Sequence, residues 1–466
     1  MRIPSLLISA LKGGSGKTLI TVGLIAAIRK KGLVPSVFKK GPDYIDAGWL
    51  SLSSGTPCYN LDQHLFSKEV VLSSFIRRSL NSDISIIEGN RGLFDGVDNK
   101  GSSSSAELAK LLRSPTLLII DCSKMTGTAA ALVKGCQQFD PELQISGIIL
   151  NRIKGTRHER VVRQAIERTS SIPVVGLIPG MKLRNFPQRH LGLLPIQEHP
   201  AAIDFVEEAR TIIENGLDLS EIEKIAFENA NAPCDYLLNT ELDTVKKGIV
   251  NSVKIGILHD AAFQFYYPEN LEALILNGAN IVEINSLEPK PLPNIDALYI
   301  GGGFPETHAE RLAENIIFRG SIKSFVDSGG PIYAECGGLM FLAKSLEIDS
   351  KSFPMAGVFE AKSILNRKPQ GLGYVELKAR EFNPFFSQGE TLRGHEFHYS
   401  TVVLDNLTWQ SWAFDVVRGH GIDGAHDGLA VKNALGVYTH IHSLGEPEWA
   451  SSIVRKAKDF RDAGKI

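Results

Sequence analysis

A thiol, a pair of histidines and two glycine runs fall where covalent chemistry on a carbonyl needs them. Cys336 lies in Tyr333-Ala334-Glu335-Cys336-Gly337-Gly338-Leu339-Met340. The apolar run Pro331 to Ala334 has the length of a buried strand, and Gly337-Gly338 opens a helical segment ending near Lys344. Cys336 is therefore expected on the turn between them, where the start of the next helix should favour the thiolate. Upstream, a strand over 296–300 runs into Gly301-Gly302-Gly303-Phe304-Pro305-Glu306. The amides of Gly302 and Gly303 in this bend, with that of Gly337, are the expected donors to an oxyanion. Downstream, Gly436-Val-Tyr438-Thr-His440-Ile-His442 offers a base at another strand end, and the Tyr-x-His spacing favours His440 over His442. The plainer fate of a lone cysteine is a small buried hydrophobe. A bend of donors before it and a base after it weigh against that fate.

A second constellation is built for phosphate. Lys12-Gly13-Gly14-Ser15-Gly16-Lys17-Thr18 sits between an apolar strand pattern over 4–11 and a helical run from Leu19 to Lys30. In that context successive amides and the helix start face an anion, Lys17 reaches the outer phosphates of ATP, and Thr18 holds Mg²⁺. Leu11 replaces the usual first glycine, which leaves the deviant pattern KGGxxK[ST] with Lys12 as an additional base. Carboxylates follow in Phe38-Lys-Lys-Gly-Pro-Asp43-Tyr-Ile-Asp46 and in Glu88-Gly-Asn-Arg-Gly-Leu-Phe-Asp95-Gly96. A single loop aspartate is commonly a turn-former or cap. Four acids recurring beside a phosphate loop are better explained as Mg²⁺ ligands, Asp43 and Glu88 with Thr18, and as groups that position substrate and phosphate, Asp43, Asp46 and Asp95. Lys39 and Lys40 stand beside them, either neutralising anions or merely solvated.

The elements that must position these residues alternate. Runs at 34–39, 84–88, 116–121, 145–151 and 173–178 read as buried parallel strands separated by helical patterns, with the acids at their C-terminal ends. The fold class expected is α/β, with two doubly wound domains: a phosphate-loop sheet over 1–199 and a second sheet, carrying Cys336, over 251–446. An acidic, helix-prone connector is expected at 200–250 and a closing helix at 447–466. With 466 residues the chain is long enough for two or three cores, and 43% hydrophobic with 22% charged residues is an ordinary globular composition. A formal net charge of −2 gives no general attraction to nucleic acid or an anionic membrane. The run Leu6 to Leu11 is too short to span a bilayer. Five cysteines, Cys58, Cys122, Cys136, Cys234 and Cys336, show no paired metal-ligand spacing, so a reducing cytoplasm is the expected setting, with a monomer or homodimer as the assembly.

Nucleophile, donors and base in this arrangement resemble the glutaminase domain of class I glutamine amidotransferases. Added to the deviant loop, the segments FKKGPDYID and EGNRGLFDG resemble the cobyrinic acid a,c-diamide synthase family over nearly the whole chain. Arg189-His-Leu-Gly-Leu193, the loop from His259 to Pro268 and Gly394-His-Glu-Phe-His-Tyr-Ser400 look like further family segments. The resemblance implies a dethiobiotin-synthetase-like ATP domain joined to a glutaminase, with glutamine, ATP and a corrinoid as substrates and Mg²⁺ as cofactor. It also implies that Asp43, Asp46, Glu88 and Asp95 act on ATP, metal and substrate carboxylate, and that Asn151 recognises adenine, although a strand-end turn is the other reading of Asn151. Class I enzymes place an acid two residues after the base; here that position is His442, so the orienting group is unidentified. Nickel-sirohydrochlorin and hydrogenobyrinic acid are alternative substrates, and a dimerising switch ATPase of the ParA/MinD kind is the rival from another class.

Overall fold

A computed structural model describes residues 3–180, 188–189, 192–230, 252–404 and 411–464. Cys234 and parts of the 189–193 and 200–250 segments lie outside the described residues. The chain divides into two compact units, Met1–Leu242 and Asp243–Ile466.

The first unit alternates strand and helix: β1 (Ser5–Ala10), α1 (Lys17–Lys30), β2 (Pro35–Lys40), α2 (Ile45–Ser54), β3 (Cys58–Leu61), α3 (Lys68–Ser79), β4 (Ile84–Glu88), α4 (Ser105–Leu112), β5 (Thr116–Asp121), α5 (Gly127–Phe139), β6 (Ile145–Ile153), α6 (Gly155–Thr169) and β7 (Val174–Pro179). Its sheet has the order β3-β2-β4-β1-β5-β6-β7, and every pairing is parallel. Parallel strands covered on both faces are predominantly apolar, and all six residues of β1 are buried, with only Ser5 and Ser9 polar among them. The edge strand β3, Cys-Tyr-Asn-Leu, was not expected, since four residues of mixed polarity carry no strand period. A two-residue ribbon, β8 (Gln188–Arg189) with β9 (Gly192–Leu193), follows.

The stretch expected as a connector is a correction to the sequence reading, because its helices α7 (Ala202–Gly216) and α8 (Leu219–Glu228) belong to the first core. Phe205, Ala209 and Ile213 are wholly buried there, at about 1.5–3 kcal/mol for each large side chain. Gly23 on α1 permits the contact, since a Cβ there would lie 2.5 Å from the carbonyl oxygen of Ala209.

The second unit contains β10 (Val253–Leu258), β11 (Phe263–Phe265), α9 (Pro268–Leu276), β12 (Ala279–Ile284), β13 (Ala297–Ile300), β14 (Gly302–Gly303), α10 (Ala309–Glu314), α11 (Ile316–Asp327), β15 (Ile332–Glu335) and α12 (Gly337–Leu342). Then follow β16 (Ala343–Ile348), β17 (Lys351–Pro354), β18 (Phe359–Leu365), β19 (Gly371–Ala379), β20 (Thr391–His398), β21 (Ser400–Leu404), β22 (Ser411–Arg418), β23 (His426–Val431), β24 (Ala434–Val437), β25 (His440–Ile441) and α13 (Glu448–Ala463). The main sheet runs β12-β10-β13-β15-β24-β23-β22-β19-β20-β25. It is parallel from β12 to β24 and antiparallel beyond.

This sheet cannot be flat. Only Tyr438 and Thr439 separate β24 from β25, a reach of about 10 Å, whereas β25 lies five strand spacings away, about 24 Å on a flat sheet. The sheet therefore curls until its far edge returns beside β24, which carries His440 back over the end of β15. Helix α13 closes the unit by burying Trp449, Ile453 and Ala457 in the second core.

Candidate active site

The turn at Cys336 is strained and closely packed. Cys336 has φ 48° and ψ −98°, in a region that costs about 1–3 kcal/mol for a residue with a side chain. Its amide donates to the Val437 carbonyl at 2.7 Å, and its carbonyl caps α12 through the Met340 amide at 3.1 Å. A Cβ on Gly338 would stand 2.7 Å from the Ile300 carbonyl oxygen, and one on Gly337 would stand 3.1 Å from the Gly303 nitrogen. The strand end of β13, the Gly302-Gly303 bend and the cysteine turn therefore abut, and only glycine fits between them. Cys336 is 7% exposed. Burial, reinforced by Glu306, pushes its pKa up. This corrects the expectation of a helix-favoured thiolate: α12 has six residues, and desolvation of the charged form dominates. Such a thiol needs a base.

His440 packs on the Gly302-Gly303 bend that abuts this turn. Its ring edge lies against Gly302, where a Cβ would meet His440 Cε1 at 2.6 Å and Nε2 at 3.4 Å. Asp427, fully buried, holds the segment leading to it, accepting from the Tyr438 amide at 3.0 Å, the Thr439 amide at 3.1 Å and the Thr439 hydroxyl at 2.7 Å. On its other side, His440 Nδ1 is 3.3 Å from Glu335 Oε2. The sequence reading missed this acid because it sought one beyond the base; the available signal was a carboxylate at the end of an otherwise apolar strand.

His442 is turned to structural use. Its Nδ1 accepts from the Leu444 amide at 3.2 Å, its ring packs on Tyr267 at 4.4 Å, and burial lowers its pKa to about 3. In the 394–400 segment, His395 stacks on His440 with centroids 5.0 Å apart. Glu396 accepts from the His420 and Gly421 amides at 2.7 and 2.8 Å, and His398 stacks on Tyr438 at 3.6 Å. The Gly301 amide donates to the Tyr266 hydroxyl at 2.8 Å.

In the first unit the phosphate loop bends through Gly14 (φ 70°) and Gly16 (φ 94°). Gly13, between Lys12 and this bend, has open space around it. Lys17 Nζ donates to the carbonyls of Lys12 at 3.3 Å and Arg91 at 2.7 Å, so the 88–96 loop closes on the phosphate loop. Asn151 holds the loop from the other side, with Nδ2 donating to the Ser15 carbonyl at 2.8 Å and Oδ1 accepting from the Arg152 amide at 2.8 Å. Both ends of its amide thus engage the chain itself.

The acids converge on Lys39, which is fully buried. Its Nζ lies 2.6 Å from Asp46, 2.5 Å from Glu88 and 3.9 Å from Asp43. Burial opposes the ammonium, but Asp46, Glu88 and Asp43 outweigh it and hold its pKa well above the ordinary value. Burial and the neighbouring Asp46 raise Asp43 to about 7, while Lys39 overcomes the burial of Asp46 and lowers it. Burial raises Glu88. Lys40, also buried, has its pKa lowered by burial. Asp95 accepts from the Gly92 amide at 2.8 Å, beside a cleft of about 410 Å³ lined by Arg91, Phe94, Glu107 and Phe139.

A divalent cation fits this donor set. Thr18 Oγ1 is 3.1 Å from Glu88 Oε1, and Glu88 Oε2 is buried without a hydrogen-bond partner. Among the described residues no group of three or more His, Cys, Asp or Glu is arranged as a complete metal cage. Mg²⁺ is generally held by one or two carboxylates plus phosphate and water, so the fit is to a metal that arrives with a nucleotide.

Both halves of the chain match known families. A CobQ/CobB/MinD/ParA nucleotide binding domain matches residues 6–193, and a CobB/CobQ-like glutamine amidotransferase domain matches residues 254–448. The chain is 43% identical over 456 residues to the cobyrinate a,c-diamide synthase of Magnetococcus marinus, covering 97% of both. It is 38% identical over 458 residues to that of Archaeoglobus fulgidus, covering 98% of both. It is 36% identical over 439 residues to that of Listeria monocytogenes, covering 94% of this chain and 96% of the relative.

Proposed function

The chain belongs to the cobyrinate a,c-diamide synthase family, and from that premise we propose that its first unit activates the a and c carboxylates of cobyrinic acid with ATP while its second frees ammonia from glutamine. It is a ligase of cobalamin biosynthesis that forms carbon–nitrogen bonds. The observation that carries this division of labour is the strained Cys336 turn against Gly303, with His440 on Gly302, in the same chain as a phosphate loop faced by Glu88.

A carboxylate resists amines because its oxygen leaves poorly. A carboxylate oxygen of the corrinoid attacks the γ-phosphorus of ATP, ADP leaves, and the acyl phosphate has a competent leaving group. Lys17 neutralises charge on the outer phosphates during transfer. Thr18, Glu88 and Asp43 would hold Mg²⁺, which supplies further neutralisation. Asp46 keeps Lys39 charged beside Glu88, and Asp95 fixes the 91–95 turn next to the cleft whose Phe94 and Phe139 rings, 4.7 Å apart, suit the edge of a macrocycle.

In the second unit, Cys336 Sγ attacks the glutamine side-chain carbon while His440 takes the thiol proton and delivers it to the departing nitrogen. The amides of Gly302, Gly303 and Gly337 face the oxyanion. Water then releases glutamate from the thioester, and ammonia displaces phosphate from the acyl phosphate to give the amide. A cytoplasmic setting belongs to this proposal, supported by the buried thiols of Cys122, Cys136 and Cys336, which form no disulfide, and by the finding that no described helix is long and apolar enough to cross a membrane.

Cys336→Ser should abolish glutamine-dependent amidation and retain turnover with added ammonium. Loss of both together would refute separate sites. Mass gain on cobyrinic acid, hydrogenobyrinic acid and nickel-sirohydrochlorin, compared side by side, identifies the tetrapyrrole. ATP hydrolysis independent of glutamine and of any tetrapyrrole would instead favour a switch ATPase.

A further inference from the structure

Glu335 stands one residue before the nucleophile and is fully buried at the end of β15. An isolated carboxylate in such a place is costly unless hydrogen-bonded. Here the Tyr299 hydroxyl donates to Oε2 at 3.2 Å, the Ile441 amide donates to Oε1 at 3.2 Å, and His440 Nδ1 lies 3.3 Å from Oε2. One carboxylate thus clamps both the ring of His440 and the backbone of the next residue. His395 stacks on the ring at 22° and Gly302 meets its Cε1 edge, so the imidazole has little freedom to tilt.

We infer that Glu335 is the positioning residue of the glutaminase centre, taking the part that the acid two residues after the base plays in other class I enzymes. The inference rests on the reading of Cys336 and His440 as nucleophile and base. With Nδ1 protonated and donating to Glu335, Nε2 carries the lone pair that receives the thiol proton. As the S–C bond forms and the C–N bond breaks, that proton passes through Nε2 to the leaving nitrogen, while Glu335 takes none and balances the transient imidazolium. Burial, with Glu335 nearby, keeps the Tyr299 and Tyr333 hydroxyls protonated, so Tyr299 remains a donor. The other titratable groups near the pair are Tyr266 and the Cys336 thiol beside Glu335, and His395, neutral through burial, beside His440.

The test is steady-state glutaminase kinetics on the full-length protein carrying Glu335→Gln or Glu335→Asp. The Gln variant should lose about 10²- to 10⁴-fold in kcat with glutamine KM within about twofold. The imidazole limb of its kcat/KM profile should move to lower pH, because the imidazolium loses its anion. The Asp variant keeps the charge but withdraws it by one methylene, so its kcat should be intermediate and its limb close to that of the parent. A role confined to folding would move neither the limb nor the order of the two variants. Parent-like kcat and pH limb in E335Q, or a loss confined to KM, overturns the inference. If E335Q does not fold, a parent-like kcat in E335D overturns it as well. Cys336→Ser separates the two levels: glutamine-dependent turnover surviving in C336S defeats the glutaminase reading itself, whereas a dead C336S beside a parent-like E335Q defeats only the role of Glu335.

Discussion

Gly302→Ala isolates the position of the base from its chemistry. The backbone at Gly302 lies outside the left-handed region, so alanine adds no conformational strain, and its effect must come from its methyl group. That methyl would lie 2.6 Å from His440 Cε1, against an ordinary carbon–carbon contact of about 3.5–4.0 Å, so the ring must retreat by about 1 Å. It has little room, being stacked on His395 and bound through Nδ1 to Glu335. A displacement of about 1 Å in a catalytic group costs about 10²-fold, or about 2.7 kcal/mol of barrier. Glutaminase kcat should fall by that factor, with glutamine KM nearly unchanged, while ammonium-dependent amidation continues. Hydrogen exchange on peptides from β13 and β15 checks that the second unit stays folded. A fully active G302A with intact exchange protection would mean that the imidazole seated on Gly302 is not the working base.

Two further outcomes concern the first unit. Asp43 has a folded pKa of about 7, above its ordinary 3.8, so the folded state holds the extra proton and stability falls as pH rises from about 4 to 7. Asp43→Asn keeps an acceptor for the Asp46 amide, 2.9 Å away in the parent, and removes that loss. Urea unfolding read by exchange in β1 and β4 should show it more stable than the parent by up to about 4 kcal/mol at pH 8, the worth of about three pKa units, and nearly equal at pH 4. A destabilisation that does not vary with pH refutes the assignment. A Cβ on Gly13 meets nothing within 4 Å, so Gly13→Ala should leave the unfolding temperature unchanged. It should raise the KM for ATP by about tenfold, roughly one hydrogen bond to a charged oxygen, if phosphate comes up to that stretch of backbone; an unchanged KM refutes that approach.

Much of the scaffold is readable because its signals are local. The continuous apolar runs of β1, β4 and β5 require burial on both faces, and Gly16-Lys17-Thr18 at a strand-to-helix turn has one familiar use. The Cys336 turn is legible for the same reason, with its glycines next to the nucleophile. What the sequence hides is partnership at a distance. The periodicity of α7 and α8 marks them as helices, yet says nothing of Gly23, the small residue on α1 that admits Ala209. Glu335 and His440 are 105 residues apart, and their meeting depends on the curl of a ten-stranded sheet. Lys39 and Lys40 look alike on paper, but strand alternation sends the first into the Asp46–Glu88 pair and the second to the opposite face.

The short span between Val437 and His440 also sets where this chain can change length. Its two residues, pinned by Asp427, join β24 to the far edge strand β25 at the point where the sheet rolls back on itself. One residue inserted or deleted there would shift β25 in register, swap the faces of His440 and Ile441, and set an aliphatic side chain where the imidazole now meets Glu335 and Gly302. Indels in this protein should therefore collect in its hairpin tips, and a graft of its glutaminase half onto another synthetase must carry 427–441 as one uninterrupted block.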